Sequence, residues 1–496
     1  MSQENTKSKQ PLIRQINRQQ MSWRAIDVER LIGEDHRARA IWTLVGRLDL
    51  SRFYESIESS TEEGGRPAID PQLLISLWVY AYSEGIGSAR EVARRCEFDP
   101  AFQWLTGLQE VNYHTLADFR VEKQNELDEL FTQVLAALSK QGLITLEQVM
   151  QDGTKIKALA STRSYQREAT IREHLERARQ RVAEMGDPRN EEGSPKAKQA
   201  QARARREQQE RLENALEELQ KLQERKSGEK AKSEARVSTS DPQARVMHHG
   251  DGGLSLSYNA QISADAANGL IVGVAVTQDA NDSAQLVPAV DRIEHQLKQT
   301  PEQMVADGGY TTRDNIEKLA GRGIDFLGSM GREETASGVT APHRLPPSAF
   351  LYDDEQDRYQ CPEGKFLRYE GRLRVEPGVI SYRYEANRKE CESCVRKPEC
   401  CPKNQKRGRS VTRLEETATI LAFREKMASE QAQAKYRRRA RVVEFCHAWI
   451  KSKLGLRQFH VRGLAKVHSE MLWACLTYNL QQWIRLAKLR AAPAAN

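Results

Sequence analysis

The sequence has no apolar run of about 18 residues, so no membrane-spanning helix is expected. Its opening stretch, MSQENTKSKQPLIRQ, lacks the apolar core of a signal peptide, and a cytoplasmic, nucleoid-associated protein is expected. Cysteine is sparse: of eight in 496 residues, five fall between Cys361 and Cys401. Without a secretory signal, that clustering points to metal binding rather than disulfides. Charge is plentiful, with 29% charged residues against 39% hydrophobic and a net charge of +7. That balance is moderately basic and only suggestive of nucleic acid. The distribution says more: Arg and Lys concentrate at Arg203–Arg206, Lys397–Arg413, Arg437–Arg441 and Arg457–Lys466. A chain of this length is too long for one ordinary core, and several domains are expected.

Residues 1–142 read as a helical N-terminal domain. Asp70-Pro71 opens a helix that stops at Gly85. Ser88 opens another that carries Arg90, Arg94 and Arg95, Asp99-Pro100 turns the chain, and a third helix ends at Gly107. Residues 112–142 read as one further amphipathic helix. Short basic helices joined by tight turns fit a DNA reader, with Arg90 and Arg94 as contacts, and equally fit an ordinary helical bundle. Residues 163–235 are nearly all Arg, Lys, Glu, Gln and Ala. Stripes at Leu175, Ala178, Val182 and Met185, and at Leu212, Ala215, Leu216, Leu219 and Leu222, predict an antiparallel helical hairpin. GDPRNEEGSP is its turn. It could meet DNA, a second subunit or only solvent.

An α/β core is expected from 143–162, 236–330 and 413–490. In EQVMQDGTKIKA, alternation up to Gln151 predicts a short strand that delivers Asp152 at its end. LSLSYNAQISAD and GLIVGVAVTQDAND predict two strands joined at Ala267-Asn268-Gly269. Ser283 caps a helix to Leu297, QMVAD ends at Asp307, a helix follows over Thr312–Arg322, and IDFLGSM is another strand. With both insertions removed, the element order is that of a ribonuclease H-like mixed sheet. In that fold, acids on the first and fourth strands meet an acid on the last helix. Asp152, Asp307 and Glu444 occupy those places. Three carboxylates suit two Mg²⁺ ions about 4 Å apart, which clamp the attacking and leaving oxygens of a phosphodiester. Gly153, Gly308 and Gly309 would leave room for phosphate. Tyr436, Arg439, Arg441 and Lys451 surround Glu444 as DNA contacts, Lys451 lying about two helical turns beyond it. Trp449 reads as a core residue.

The second insertion, 331–412, has short β-like pieces and the cysteines. Cys361, Cys391, Cys394 and Cys400 have spacing suited to a structural Zn²⁺ site, or are simply reduced thiols. Residues 491–496 are a tail.

DGTKIKA, SYNAQISAD, VADGGY and YRRRARVVEFCHAWIK…RGLAKVHSEMLWACLTYNL resemble a bacterial insertion-sequence DDE transposase, in a branch with an InsH-like helical N-terminal domain. The resemblance runs from about Trp23 to Leu486. It implies Asp152, Asp307 and Glu444 as ligands of Mg²⁺, with Mn²⁺ able to substitute. It also implies cut-and-rejoin chemistry on terminal inverted repeats and target DNA, by a homo-oligomer on paired ends. Related transposases carry a Tyr-Arg-Glu-Lys signature. Here Lys451 keeps its spacing from Glu444, while Tyr436 and Arg439 each sit one residue further away. Alternatives are a ribonuclease H-like DNA nuclease and an inactive DNA-binding derivative.

Overall fold

The computed structural model describes residues 18–19, 21, 25–55, 57, 67–184, 194–250, 252–330, 345–376, 379–401 and 407–491. Most of the hairpin turn and nearly all of the tail lie outside the described residues. Among the described residues no helix is long and apolar enough to cross a membrane.

The N-terminal part comprises α1 (Arg37–Val45), α2 (Ser51–Glu55), α3 (Pro71–Ser83), α4 (Ala89–Phe98), α5 (Pro100–Thr106), α6 (Tyr113–Glu122) and α7 (Gln124–Lys140). Asp70 caps α3 by accepting from the Gln72 N–H at 2.8 Å, and Pro71 takes the first helical position. Gly107 ends α5 in the left-handed region. The single helix expected over 112–142 is two helices, because the chain leaves helical geometry at Lys123. That break lets α6 turn Phe119 and Arg120 inward while α7 buries its own stripe from Leu127 to Leu138.

The core sheet contains β1 (Val149–Lys157), β4 (Arg245–His248), β5 (Leu254–Asp265), β6 (Ile271–Thr277), β7 (Gln303–Ala306) and β8 (Asp325–Gly328). A separate ribbon pairs β2 (Tyr165–Arg167) with β3 (Arg236–Ser238) at the root of the first insertion. In the main sheet β1, β7 and β8 run parallel, β5 runs antiparallel to β1, and β4 and β6 both pair with β5. This is the expected ribonuclease H-like order. β1 does not end at Asp152. It continues to Lys157, because β5 pairs with it residue by residue from Val149↔Asp265 to Lys157↔Ser257. Asp-Gly is therefore mid-strand rather than a turn.

Helices α8 (Glu168–Ala183) and α9 (Pro195–Glu224) form the antiparallel hairpin, closed by Leu175, Ala178, Leu212, Ala215 and Leu219 with Ile171. α10 (Glu229–Ser233) leads back to the core. After β6, the helix expected from Ser283 starts later, as α11 (Leu286–Leu297), and α12 (Arg313–Gly321) begins at Thr312, whose hydroxyl accepts from the Asn315 N–H. The second insertion is an antiparallel sheet of β9 (Leu351–Asp353), β10 (Arg358–Gln360), β11 (Phe366–Glu376), β12 (Val379–Ala386) and β13 (Ser410–Glu415), with α13 (Arg388–Glu392) and α14 (Lys397–Cys400) between the last two strands. The chain closes with α15 (Ala418–Ala428), α16 (Glu430–Arg437), a π-turn at Ala440–Glu444, α17 (Phe445–Ser452) and α18 (Leu464–Ala491).

One continuous core joins the N-terminal helices to the main sheet. α18 is its axis, packing on α3, α6, α7 and β6 through Met471, Trp473, Leu476 and Tyr478. Glu470 on α18 is fully buried, 3.5 Å from the Arg120 guanidinium and 2.8 Å from His460 Nδ1.

Candidate functional site

Asp152 stands in the middle of β1, Asp307 just past the end of β7, and Glu444 on the last residue of the π-turn. Parallel pairing of β1 with β7 at Gln151↔Ala306 brings the two aspartates to neighbouring chain positions. Asp152 is mostly buried, with 15% of its side chain exposed, whereas Glu444 is open at 59%. Burial, helped by the charge of Asp307, pushes the Asp152 carboxyl up to about 6 against the pull of Arg439. Arg439 lies between two of the acids, 3.1 Å from Asp152 Oδ2 and 3.8 Å from Glu444 Oε1. Arg439 thus meets the acids themselves, a place not expected of a DNA contact.

The π-turn explains how Arg439 reaches them. A π-turn adds one residue to a helical turn without changing the face presented. Tyr436 and Arg439 are one residue further from Glu444 than the Tyr-Arg-Glu-Lys signature has them, and the turn at Ala440–Glu444 absorbs that residue. Tyr436 is half-buried, bonded to Arg439, and feels the charges of Asp307 and Asp152. Lys451 donates to Thr154 Oγ1 at 2.5 Å, beside Asp152 on β1. Arg441 is exposed and no hydrogen bond or ion pair ties it to the acids.

Two residues missed in the sequence belong here. Asp282, in the β6–α11 loop, accepts from Asn259 Nδ2 at 2.6 Å and Gln261 Nε2 at 2.7 Å, and lies 3.5 Å from Lys155 Nζ. Its Oδ1 fills the space a Cβ on Gly153 would take, 2.6 Å away. Gly153 thus makes room for a carboxylate and two amides rather than for phosphate. The signal was the polar alternation Asn259-x-Gln261 on a buried strand. His447, one turn after Glu444, is buried with Nε2 3.9 Å from Asp152 Oδ2, and neither ring nitrogen has a hydrogen-bond partner among the described residues. Burial holds it neutral, down at about 3.

The donor chemistry fits hard divalent cations: carboxylates converge where a positive charge, Arg439, is already accommodated. Among the described residues, no three His, Cys, Asp or Glu side chains are grouped closely enough to hold a metal as they stand. Closing Asp152 and Glu444 on an ion requires the Arg439 guanidinium to move aside.

Away from the cleft, Arg94 is bound to Glu91 at 2.8 Å and stacks on Phe98, while Arg90 lies over Tyr113. Cys361, Cys391, Cys394 and Cys400 line one cavity, together with a fifth thiol, Cys401, and Arg409. None of the five cysteines is in a disulfide. The Lys365 N–H donates to Cys361 Sγ at 3.3 Å and the Arg409 N–H to Cys391 Sγ at 3.5 Å. Cys391 lies within hydrogen-bonding reach of Cys401, a thiol left out of the expected set. Trp449 packs against the core as expected and donates to Gln481.

Two protein families match the chain. The transposase DDE domain covers residues 360–484, a span that includes Glu444, Lys451 and all five clustered cysteines. The transposase domain DUF772 covers residues 26–122. No curated protein and no solved structure gives a significant match. Asp152 and Asp307 lie outside both matched spans.

Proposed function

We propose that this chain is an insertion-sequence DDE transposase that binds its element's terminal inverted repeats and cuts and rejoins DNA there with Mg²⁺. Mn²⁺ serves in its place. The observation that carries this reading is the convergence of Asp152 and Glu444 on Arg439, with Asp307 near enough for its charge to act on Asp152. When bound, divalent ions supply an activated water or 3′-hydroxyl and neutralise the leaving oxygen. Asp152, Asp307 and Glu444 would hold them. Arg439, displaced from the acids, is left with its fork free for a phosphate. Lys451, fixed by Thr154 beside Asp152, adds a point charge on the same strand. His447 stays neutral and bonded to no side chain described, so it bears no charge that would oppose a cation at Asp152. Working on paired element ends, the chain acts as a homo-oligomer.

The second insertion holds a structural Zn²⁺ through thiolates of Cys361, Cys391, Cys394 and Cys400, with Cys401 in reach as an alternative. Burial pushes the Cys391 thiol up against the Arg409 N–H that donates to its sulfur, so taking up Zn²⁺ would release the thiol proton. Elemental analysis should find about one zinc per chain, lost in Cys391→Ser.

Cleavage of a labelled duplex carrying the native element end tests the main reading. Wild type should nick at the end with Mg²⁺ and Asp307→Ala should not. Cutting without end preference or joining would make the chain a nuclease. Binding without cutting, with Mg²⁺ or Mn²⁺, would make it an inactive derivative.

A further inference from the structure

β1 has two edges, and their pairing differs. β5 covers one edge along its whole length. On the other, β7 pairs only with Val149–Gln151, and no strand follows until Lys157, where the segment after α17 takes over. There the Lys157 N–H donates to the Arg457 carbonyl at 3.3 Å and the Phe459 N–H to the Lys157 carbonyl at 2.9 Å. Gln458 Nε2 and Arg462 Nε extend the lacing to the carbonyls of Ala158 and Leu159, each at 3.0 Å. Leu454, Leu456 and Phe459 are buried and anchor the segment, while Gly455 turns it at a positive φ against Gly85. The stretch from Asp152 to Ile156 pairs with no strand on this edge among the described residues, has the π-turn and α17 against it, and spans about 17 Å at 3.3 Å per residue. Its two ends differ in charge: the acids lie at one and a run of cations at the other.

Lys157, Lys453, Arg457 and Arg462 are exposed and form no ion pair among the described residues, and Lys451 also has none. Lys451 and Arg457 are close enough that, after burial, Arg457 pushes the Lys451 ammonium down, against the pull of Asp152. Asp152 pulls on Lys451 and the buried Asp241 feels the charge of Arg462, while Lys157, Lys453 and Arg457 are paired with no acid among the described residues. A fixed row of unneutralised positive charge costs self-repulsion unless an anionic polymer lies along it.

We propose that this laced edge is a DNA track: Lys157, Arg457 and Arg462 bind backbone phosphates of the duplex flanking the point of cleavage, without reading its sequence. The track rests on the transposase reading for the identity of the polymer. Charge and geometry fix its position. It leads DNA from Asp152 toward the root of the α8–α9 hairpin, since β1 runs on through Ala158 to β2.

The test is binding of a mixed-sequence duplex to the full chain in EDTA, by fluorescence anisotropy across a salt series. Compared are wild type, the triple variant Lys157→Gln/Arg457→Gln/Arg462→Gln, and the charge-preserving triple Lys157→Arg/Arg457→Lys/Arg462→Lys. The neutral triple should show a log K against log salt slope shallower by about 2.7, roughly 0.9 for each lost contact. The charge-preserving triple should keep the wild-type slope, which separates lost charge from lost fold. Equal slopes for wild type and neutral triple overturn the track and leave the transposase reading standing. A slope lost in both triples overturns it too, by assigning the effect to folding. Failure of wild type to bind any DNA overturns both.

Discussion

Two basic regions of this chain look alike in sequence and differ in the fold. α4 carries Arg90, Arg94 and Arg95 in ten residues, and the segment from Lys451 to Arg462 carries four cations in twelve. On α4 the charge is spent internally. Glu91 takes both Arg94 and Arg95, Asp99 takes Arg95 again, and Phe98 lies under both guanidinium groups. Those hydrogen bonds hold the Glu91 carboxyl down at about 2. The 451–462 segment contains no Asp or Glu, so helical i,i+4 pairing is unavailable to it, and its backbone is tied to β1. Positive residues are therefore free for a partner where local sequence offers no acid at helical spacing.

The comparison breaks most sharply at the acids. Asp152→Asn should abolish end cleavage while leaving DNA binding in EDTA at the wild-type level, because Asp152 holds metal and the phosphate contacts come from cations. Loss of binding in that variant would give Asp152 a part in holding DNA without metal. Next in size, Arg94→Gln should change DNA affinity less than about threefold, whereas the neutral edge triple should weaken it roughly tenfold or more at moderate salt. A larger effect from Arg94→Gln would mean that Glu91 lets go when DNA arrives. Glu91→Gln sharpens the same point: with its partner neutral, α4 should gain affinity for DNA and a steeper salt dependence.

Smaller but directional is the effect of pH on the acids. The Asp152 carboxyl, desolvated and raised to about 6, is protonated as the pH falls through that value, so Mn²⁺ affinity should drop there. Arg439 counters that rise. Arg439→Ala should move the midpoint upward and, at pH 8, tighten Mn²⁺ binding in the absence of DNA. Titration calorimetry reads both, and an unchanged affinity would show that Arg439 does not compete for the acids. In the metal-free protein the raised carboxyl favours the folded state at pH below the ordinary carboxylate range. That contribution is lost as the pH rises through about 6.

Much of the architecture was legible in the residues. Period-two alternation marked the start of β1, helical stripes marked the hairpin, and the order of elements marked the sheet. Asp70-Pro71 and Gly107 set helix ends through chemistry confined to a few residues. Other features depended on neighbours far along the chain. Asp152-Gly153 reads as a turn until β5, about 100 residues later, pairs across it. Arg120 reads as a surface cation until Glu470, 350 residues later, meets it in the core. Asp282 carried no local sign, because its partners Asn259, Gln261 and Lys155 come from two other strands.

By itself, then, the sequence determined the kinds and order of the elements, the three acids and the cysteine cluster, since each rests on periodicity, turn chemistry or spacing within a short window. The tertiary structure alone decided which charges are neutralised. Coulomb energy depends on distance in space and on burial, and both are set only when strands and helices from separate parts of the chain are packed together.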